Sequence, residues 1–77
     1  MRYMDILSRA RILIADDSPV MRRYLRALLQ ANGCNDLVEA CDGRQALEHV
    51  MLRHPDIVVL DLHMPEMDGF AFCRELR

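Results

Sequence analysis

The sequence predicts an α/β fold in which helices cover both faces of a parallel sheet. Short apolar runs alternate with segments of helical periodicity in the order strand, helix, strand, helix, strand, helix. Strict alternation is typical of parallel sheets, because parallel neighbours need a crossover connection that a helix supplies. If the second strand lies on one side of the first and the third on the other, the strand order is 2-1-3. Right-handed crossovers then place the first two helices on opposite faces.

The first strand and the first helix have clear boundaries in the sequence. Residues 12–15 are an apolar run that stops at two acids, which is typical of a buried parallel strand. Ser18 is a good N-cap, Pro19 suits the first helical position, and Gly33 suits a left-handed cap after the last turn. A helix is therefore predicted from Pro19 to just before Gly33.

The first helix carries an apolar stripe with i, i+4 spacing, which is expected to pack against the sheet. The stripe consists of Val20, Met21, Tyr24, Leu25, Leu28 and Leu29. Arg22, Arg23 and Arg26 lie off the stripe, so a solvated face is predicted for them.

The second strand and helix have weaker signals. Residues 37–40 are a strand candidate that ends at Asp42-Gly43, a turn pair predicted to supply positive φ. The helix predicted over residues 44–53 cannot continue through Pro55. Its apolar face consists of Ala46, Leu47, Val50 and Met51.

The third strand is the most apolar of the three. It spans Ile57–Leu60 and stops at an acid, Asp61. A loop with Pro65 and Gly69 then leads into a third helical segment, residues 70–77.

Three acids follow the first and third strands. Asp16 and Asp17 come directly after the first strand, and Asp61 comes directly after the third. In the order 2-1-3 these strands meet where the winding reverses, which is where ligands bind in open α/β sheets. Because adjacent strands lie about 4.8 Å apart, the three carboxylates are expected to repel one another unless protons or a cation intervene. Magnesium suits this pocket, since it prefers oxygen ligands and is commonly held by one or two carboxylates.

Asp61 also has a possible chemical role, because a carboxylate beside a metal ion can attack phosphorus and form an acyl phosphate. The plainer interpretations are helix capping beside Ser18 for Asp16 and Asp17, and a simple loop position for Asp61. Each acid taken alone favours the plainer interpretation.

Three segments together resemble the receiver domains of response regulators. Asp16-Asp17 resembles the acid pair of that family, and residues 61–69 (DLHMPEMDG) resemble its DxxMPxMDG phosphorylation motif. Residues 42–47 (DGRQAL) resemble the DGxxAL segment that opens its second helix. The resemblance runs from about residue 11 to residue 77. It implies a flavodoxin-like, doubly wound fold of the chemotaxis-regulator kind and a place in a two-component phosphorelay.

The resemblance implies a role for each matching residue. Asp61 is expected to be the phosphoacceptor, which takes a phosphoryl group from a sensor histidine kinase or a phosphotransfer protein to become 4-aspartylphosphate. For Mg²⁺, Asp17 is expected to bind directly and Asp16 mainly through water, with Asp61 and the backbone carbonyl of His63 as further ligands. The residues expected to shape the loop beyond the phosphoacceptor are Met64, Pro65 and Gly69. In this family the first helix also offers an exposed edge to the kinase, and a place near that contact is the alternative to a plain solvated face for Arg22, Arg23 and Arg26.

The chain departs from the family pattern after the third helix begins. A complete receiver has five strands, with Thr or Ser after the fourth and Lys after the fifth, and the sequence holds neither strand and no lysine. Residues 1–10 are predicted to be an N-terminal extension and residues 11–77 a partial receiver domain. An exposed third strand predicts a fragment of a longer protein, a homodimer or swapped assembly through that edge, or a poorly folded chain.

Composition argues against several classes of function. The 77 residues allow one small domain, and a formal charge of -2 with both signs interspersed does not favour nucleic acid or a membrane as a direct partner. Cys34, Cys41 and Cys73 lack zinc-ligand spacing and are predicted to be free thiols. The sequence has no signal-peptide pattern and no apolar run near the roughly 20 residues of a membrane helix, which predicts a cytoplasmic protein.

Three functional classes follow from these residues. The leading prediction is a phosphoacceptor signalling module, which is not a turnover enzyme. The alternative is a receiver-like interaction module or inactive fragment that cannot be phosphorylated, because the hydroxyl and the lysine are missing. A phosphohydrolase is disfavoured, since His63 stands where such enzymes usually carry a second acid.

Overall fold

The computed structural model describes residues 8–60, which form a parallel sheet with a helix on each face. The elements are β1 (Arg11–Ala15), α1 (Pro19–Ala31), β2 (Asp36–Ala40), α2 (Gly43–Arg53) and β3 (Ile57–Leu60). The strand order is β2-β1-β3, and both pairings are parallel. The predicted fold class and the order 2-1-3 are confirmed. The third helix, predicted over residues 70–77, lies outside the described residues.

β1 is the central strand because both of its edges are paired. Its last residue, Ala15, lies opposite Ala40 on one edge and opposite Leu60 on the other. The C-terminal ends of the three strands are therefore level. Within residues 8–60 the outer edge of β3 has no partner strand, so assembly through that edge stays a prediction.

The side chains of β1 alternate between two small cores, one on each face of the sheet. The core on the α2 side consists of Leu13, Ala15, Ala40 and Ala46, with Val38, Leu47, Val50, Val58 and Leu60 packed against it. The core on the α1 side consists of Ala10, Ile12 and Cys34, with Leu29, Leu37 and Val59 packed against it. The two helices lie on opposite faces, as right-handed crossovers require.

α1 begins and ends as predicted. The Ser18 hydroxyl accepts a hydrogen bond from a backbone N–H of the first turn, and Pro19 is the first helical residue. At the other end Gly33 has a φ of 87°. The N–H groups of Gly33 and of the next residue donate to the carbonyls of Gln30 and Leu29, both at 3.0 Å. This pair of bonds is a Schellman cap, which requires the left-handed conformation that glycine adopts without strain.

The predicted packing of the α1 stripe is wrong for most of its residues. Val20, Met21, Tyr24 and Leu28 are exposed, with Val20 at 75%. Only Leu25 and Leu29 of the stripe are half-buried. The helix is rotated about its axis relative to the prediction, so that the apolar stripe only partly faces the sheet.

The solvated face predicted for the arginines of α1 is also wrong, for two of the three. Arg22 and Arg26 lie toward the sheet, where both pair with Glu39 of β2, whereas Arg23 is exposed. The half-buried carboxylate needs cationic partners, and the arginine stems can cover apolar surface while their charged ends pair. These ion pairs favour a helix rotation that an apolar pattern does not predict.

α2 begins with a reciprocal cap instead of a turn with positive φ. The Asp42 carboxylate accepts a hydrogen bond from the Gln45 N–H at 2.8 Å, and the Gln45 side chain accepts one from the Cys41 N–H at 3.0 Å. Asp42 is extended, with a φ of -151°, and Gly43 is the first helical residue. The predicted turn at Asp42-Gly43 is therefore wrong, because the capping bonds extend the helix to Gly43.

The apolar face of α2 is narrower than predicted. Ala46 is buried and both Leu47 and Val50 pack against the core, but Met51 is 73% exposed because it lies beyond the face that meets the sheet. The helix ends at Arg53, and its C-cap His54 takes a left-handed conformation with a φ of 49° before Pro55.

A polar cluster at the N-terminal ends of the strands links β1 to β2, to the end of α2 and to the residue before β3. The Arg11 guanidinium pairs with Asp36 of β2 at 3.0 Å and donates to the carbonyl of Arg53 at the end of α2. The Arg11 N–H donates to the Asp56 carboxylate, and the Asp56 N–H donates to the Arg11 carbonyl, both at 2.8 Å. These bonds fix the start of β1 against β2 on one edge and against the residue before β3 on the other.

Two further sequence predictions can be compared with the structure. Cys34 is buried and Cys41 is half-buried, and both are free thiols, as predicted. Cys73 lies outside the described residues. Residues 8–60 contain no helix with the length and apolar character needed to span a bilayer.

Replacement of Gly33 should destabilise the fold through its backbone. A Cβ added there meets the Ser8 Cβ at 3.8 Å, an ordinary contact, so the cost comes from the left-handed φ. We expect Gly33→Ala to lower the free energy of unfolding in urea by about 1 kcal/mol. Gly33→Asn is the control, since Asn tolerates this conformation, and it should lose less. Equal losses in the two variants would contradict the assigned cap.

Candidate functional site at the C-terminal ends of the strands

Asp16 and Asp17 lie directly beyond the end of β1. The Asp16 N–H donates to the Ala40 carbonyl at 3.1 Å, which continues the contact with β2 for one residue past the strand. Because the strands end level, the acid pair lies at the edge of the sheet where the strand order reverses. The structure therefore places these two residues where the sequence predicted them.

The two carboxylates have different surroundings. Asp16 is half-buried, and its Oδ1 accepts a hydrogen bond from the Ser18 N–H at 2.9 Å. Asp17 is exposed, and its carboxylate has no hydrogen-bond or ion-pair partner within residues 8–60. One carboxylate is thus partly fixed, while the other is available to a ligand.

Helix capping does not account for this pair. The hydroxyl of Ser18 is the N-cap of α1, while Asp16 contributes one bond to the preceding turn. Asp17 contributes none within the described part of the chain. The plainer interpretation therefore explains one oxygen atom of Asp16 and leaves the carboxylate of Asp17 without a structural role there.

No ion pair neutralises the acid pair among the described residues. The nearest arginine contact is from Arg22 Nη1, which donates to the backbone carbonyl of Asp16 at 2.6 Å and not to its carboxylate. The Nε of the same guanidinium is 3.4 Å from Oε1 of Glu39. Two adjacent carboxylates without a paired cation are a source of repulsion that a divalent ion relieves.

The chemistry of these donors fits Mg²⁺. Both side chains offer hard oxygen atoms, and Mg²⁺ is commonly held by one or two protein carboxylates with water and phosphate completing its octahedron. Residues 8–60 contain no group of three or more His, Cys, Asp or Glu side chains arranged to hold a metal ion. Asp16 and Asp17 are the predicted ligands within residues 8–60, and the other two, Asp61 and the carbonyl of His63, lie outside the described residues.

The other predicted site residues lie outside the described residues. They are Asp61, His63, Met64, Pro65 and Gly69. Leu60, which precedes the predicted phosphoacceptor in the chain, is the last residue of β3 and lies opposite Ala15. The strand that leads to Asp61 thus ends beside the strand that leads to the acid pair.

Sequence reasoning missed the contact between Arg22 and the Asp16 carbonyl. One signal for it was present, since Glu39 is an acid within an otherwise apolar strand segment, Leu37-Val38-Glu39-Ala40. A half-buried acid in a strand needs a cationic partner, and α1 supplies the arginines that can reach it.

The chain matches a family model and a curated relative over most of its length. The matching model is the response regulator receiver domain, which covers residues 12–77. The chemotaxis protein CheY of Bacillus subtilis is 42% identical over 67 residues, which is 87% of this chain and 56% of CheY. The chain spans less than two thirds of the length of the curated relatives it matches, and only 19% of a protein-glutamate methylesterase from Hahella chejuensis.

Two solved structures have the same fold. The receiver domain of a histidine kinase from Syntrophus aciditrophicus matches with a TM-score of 0.81 and 39% identity, over 87% of this chain and 50% of that chain. The receiver domain of the histidine kinase CKI1 from Arabidopsis thaliana, in complex with Mg²⁺ and BeF3⁻, matches with a TM-score of 0.82 and 28% identity. That match covers 96% of this chain and 58% of the other.

The two acids should differ in what they contribute to stability in the absence of metal. Asp16→Ala removes the acceptor of the Ser18 N–H, so we expect the free energy of unfolding in urea with EDTA to fall by about 1 kcal/mol. Asp17→Ala removes the same charge without breaking a described bond, so the free energy of unfolding should stay the same or rise. Equal losses would show that Asp17 has a structural partner.

Proposed function

The chain belongs to the response regulator receiver family, and on that premise we propose that it is a phosphoacceptor module in which Asp61 takes a phosphoryl group. The donor is a sensor histidine kinase or a phosphotransfer protein. The module is a signalling component and not a turnover enzyme, because the phosphoryl group is transferred to the protein itself, where it serves as the signal.

One observation carries this proposal. Asp16 and Asp17 lie together at the end of β1, unpaired with any cation among residues 8–60, and β3 ends level with them before the chain runs into Asp61. A structural acid pair is normally neutralised by arginine or lysine, and within residues 8–60 this one has no such partner. Two carboxylates after β1, together with the carboxylate that follows β3 in the sequence, support a metal-assisted reaction at phosphorus.

The proposed transfer is a simple displacement. An oxygen atom of the Asp61 carboxylate forms a bond to phosphorus, the phosphorus–nitrogen bond of the phosphohistidine breaks, and the electron pair stays on the imidazole nitrogen, which takes up a proton. Asp16, Asp17, Asp61 and the carbonyl of His63 would hold Mg²⁺, which supplies charge stabilisation to the phosphoryl oxygens. The Mg²⁺ and BeF3⁻ bound to the CKI1 receiver support this assignment.

The exposed face of α1 supports a protein partner for the transfer. It consists of Val20, Met21, Tyr24 and Leu28. Apolar side chains grouped on one face of a helix are suited to pack against a partner helix. α1 starts three residues after Asp16, so the first turn of this face is its part closest along the chain to the acid pair.

Phosphorylation can be tested by intact-mass spectrometry. After incubation with acetyl phosphate and MgCl2 we expect the chain to gain one phosphoryl group, and Asp61→Asn to gain none. Glu48→Gln is the matched control, since it removes a carboxylate from the exposed face of α2 and should leave the gain unchanged. No gain in the wild-type chain would instead favour a receiver-like interaction module.

Magnesium should stabilise the folded chain. A ligand that binds only the folded state adds RT ln(1 + [L]/Kd), which is about 1.4 kcal/mol at ten times the Kd. We expect the free energy of unfolding to rise with MgCl2 in the wild type, and to rise much less in Asp17→Asn. NaCl at matched ionic strength separates binding from charge screening. The same rise in both proteins would exclude Asp17 as a ligand.

A further inference from the structure

The Arg22 side chain connects α1 to the peptide between the two acids. It is only 17% exposed, and its Nε lies 3.4 Å from Oε1 of Glu39. Its Nη1 donates to the backbone carbonyl of Asp16 at 2.6 Å. Because the guanidinium is planar and is held at two of its nitrogen atoms, its orientation is fixed by these two contacts together.

The Asp16 carbonyl belongs to the peptide unit that leads into Asp17. The N–H of Asp16 is held by Ala40 at 3.1 Å, and its carboxylate is held by Ser18 at 2.9 Å. A peptide unit is planar, so a bond to its carbonyl also sets the direction of the following N–H and Cα. Arg22 is the one side chain within residues 8–60 with a described bond to this peptide unit. It therefore constrains the backbone from which the exposed Asp17 carboxylate projects.

Arg26 provides an internal comparison. It lies one turn further along α1, and its Nε is 2.6 Å from Oε2 of Glu39. The corresponding distance from Arg22 Nε to Glu39 is longer, at 3.4 Å. The other described contact of Arg26 is to the carbonyl of Leu37, at 3.5 Å. Arg26 thus ties the helix to β2 through the same carboxylate, but none of its described contacts is to the acid pair.

Glu39 pairs with Arg22 and so limits how its guanidinium can interact with the carboxylates of Asp16 and Asp17. A free guanidinium beside Asp16 and Asp17 would pair with their carboxylates and compete with a cation for them. The Glu39 carboxylate pairs with the Nε of Arg22, and Nη1 of the same group is directed to the Asp16 carbonyl. Within residues 8–60 the two carboxylates are thus left without an arginine partner, and the peptide between them is held by Arg22.

We infer that Arg22, anchored on Glu39, is a positioning residue for the magnesium site and that it acts through the Asp16–Asp17 peptide. This inference rests on the proposed function, because it assigns a second layer of support to the cation site proposed there. Replacing a group that holds a metal ligand in place commonly lowers the metal affinity by about tenfold or more.

The sign of the effect separates positioning from simple electrostatics. Arg22→Met keeps much of the apolar stem and removes a positive charge near the site, so Coulomb repulsion alone predicts tighter binding of Mg²⁺. Loss of positioning predicts weaker binding. Arg26→Met removes the same charge, and it also removes the closer of the two arginine contacts with Glu39. If Arg22 only tethered α1 to β2, Arg26→Met would weaken Mg²⁺ binding at least as much as Arg22→Met does.

The experiment is a titration of the full chain with MgCl2, followed by the amide NMR shifts of Asp16 and Asp17, together with urea unfolding of each variant. We expect the Kd to rise about tenfold in Arg22→Met and to stay within about twofold of the wild type in Arg26→Met. Arg22→Lys keeps the charge but cannot span both acceptors, and it should also bind Mg²⁺ more weakly than the wild type. It serves as the second variant if Arg22→Met does not fold.

A second measurement needs no metal. The Ser18 N–H bonded to the Asp16 carboxylate should lose protection from hydrogen exchange in the Arg22 variants and keep it in Arg26→Met. Mg²⁺ binding by the Arg22 variants as tight as in the wild type, or equal weakening in the Arg26 variant, would overturn the inference. If the wild-type chain binds no Mg²⁺, the proposed function fails. Independently of that result, protection of the Ser18 N–H that is retained in the Arg22 variants would exclude the positioning role of Arg22.

Discussion

β1 has a partner strand on each edge and a core on each face, and this double constraint fixes the position of the other elements in residues 8–60. A strand buried on both faces must be apolar throughout, and Ile12, Leu13, Ile14 and Ala15 are all almost fully buried. A parallel partner on each edge requires two crossovers, and their common handedness places α1 and α2 on opposite faces. The acid pair then follows at the C-terminal end of β1, where the strand order reverses and where open α/β sheets bind ligands.

The charges around this end of the sheet are separated into two groups. Glu39 is half-buried and takes both Arg22 and Arg26 as partners, so the cations of α1 are directed to β2. Asp16 and Asp17 have no such partner among the described residues, although Arg22 bonds to the backbone between them. This separation matters because a carboxylate already paired with arginine is a poor ligand for Mg²⁺. The same arginine can therefore fix the backbone of the acid pair without neutralising it.

Local chemistry was the part of this fold that could be predicted well. The extent of β3, the Ser18 cap, Pro19 at the first helical position and the left-handed Gly33 all follow from short-range sterics and hydrogen bonding, and the structure has each of them. The orientation of α1 could not be predicted in this way. Its apolar stripe indicated one face, while the ion pairs with Glu39 lie on another, and Val20 and Tyr24 are consequently exposed.

The sequence by itself determined the order of the elements, the family and the identity of the acids, because these depend on residue type and spacing along the chain. It placed Asp16 and Asp17 after a buried strand, and the level ends of β1 and β3 agree with the crevice that it predicted for them. Only the tertiary structure decided which carboxylates among residues 8–60 pair with arginine and which do not. That outcome depends on the rotation of α1 over the sheet, which brings Arg22 to Glu39 and to the Asp16 carbonyl across 17 and six residues of chain. Contacts between residues so separated are set by packing geometry, which no local pattern encodes.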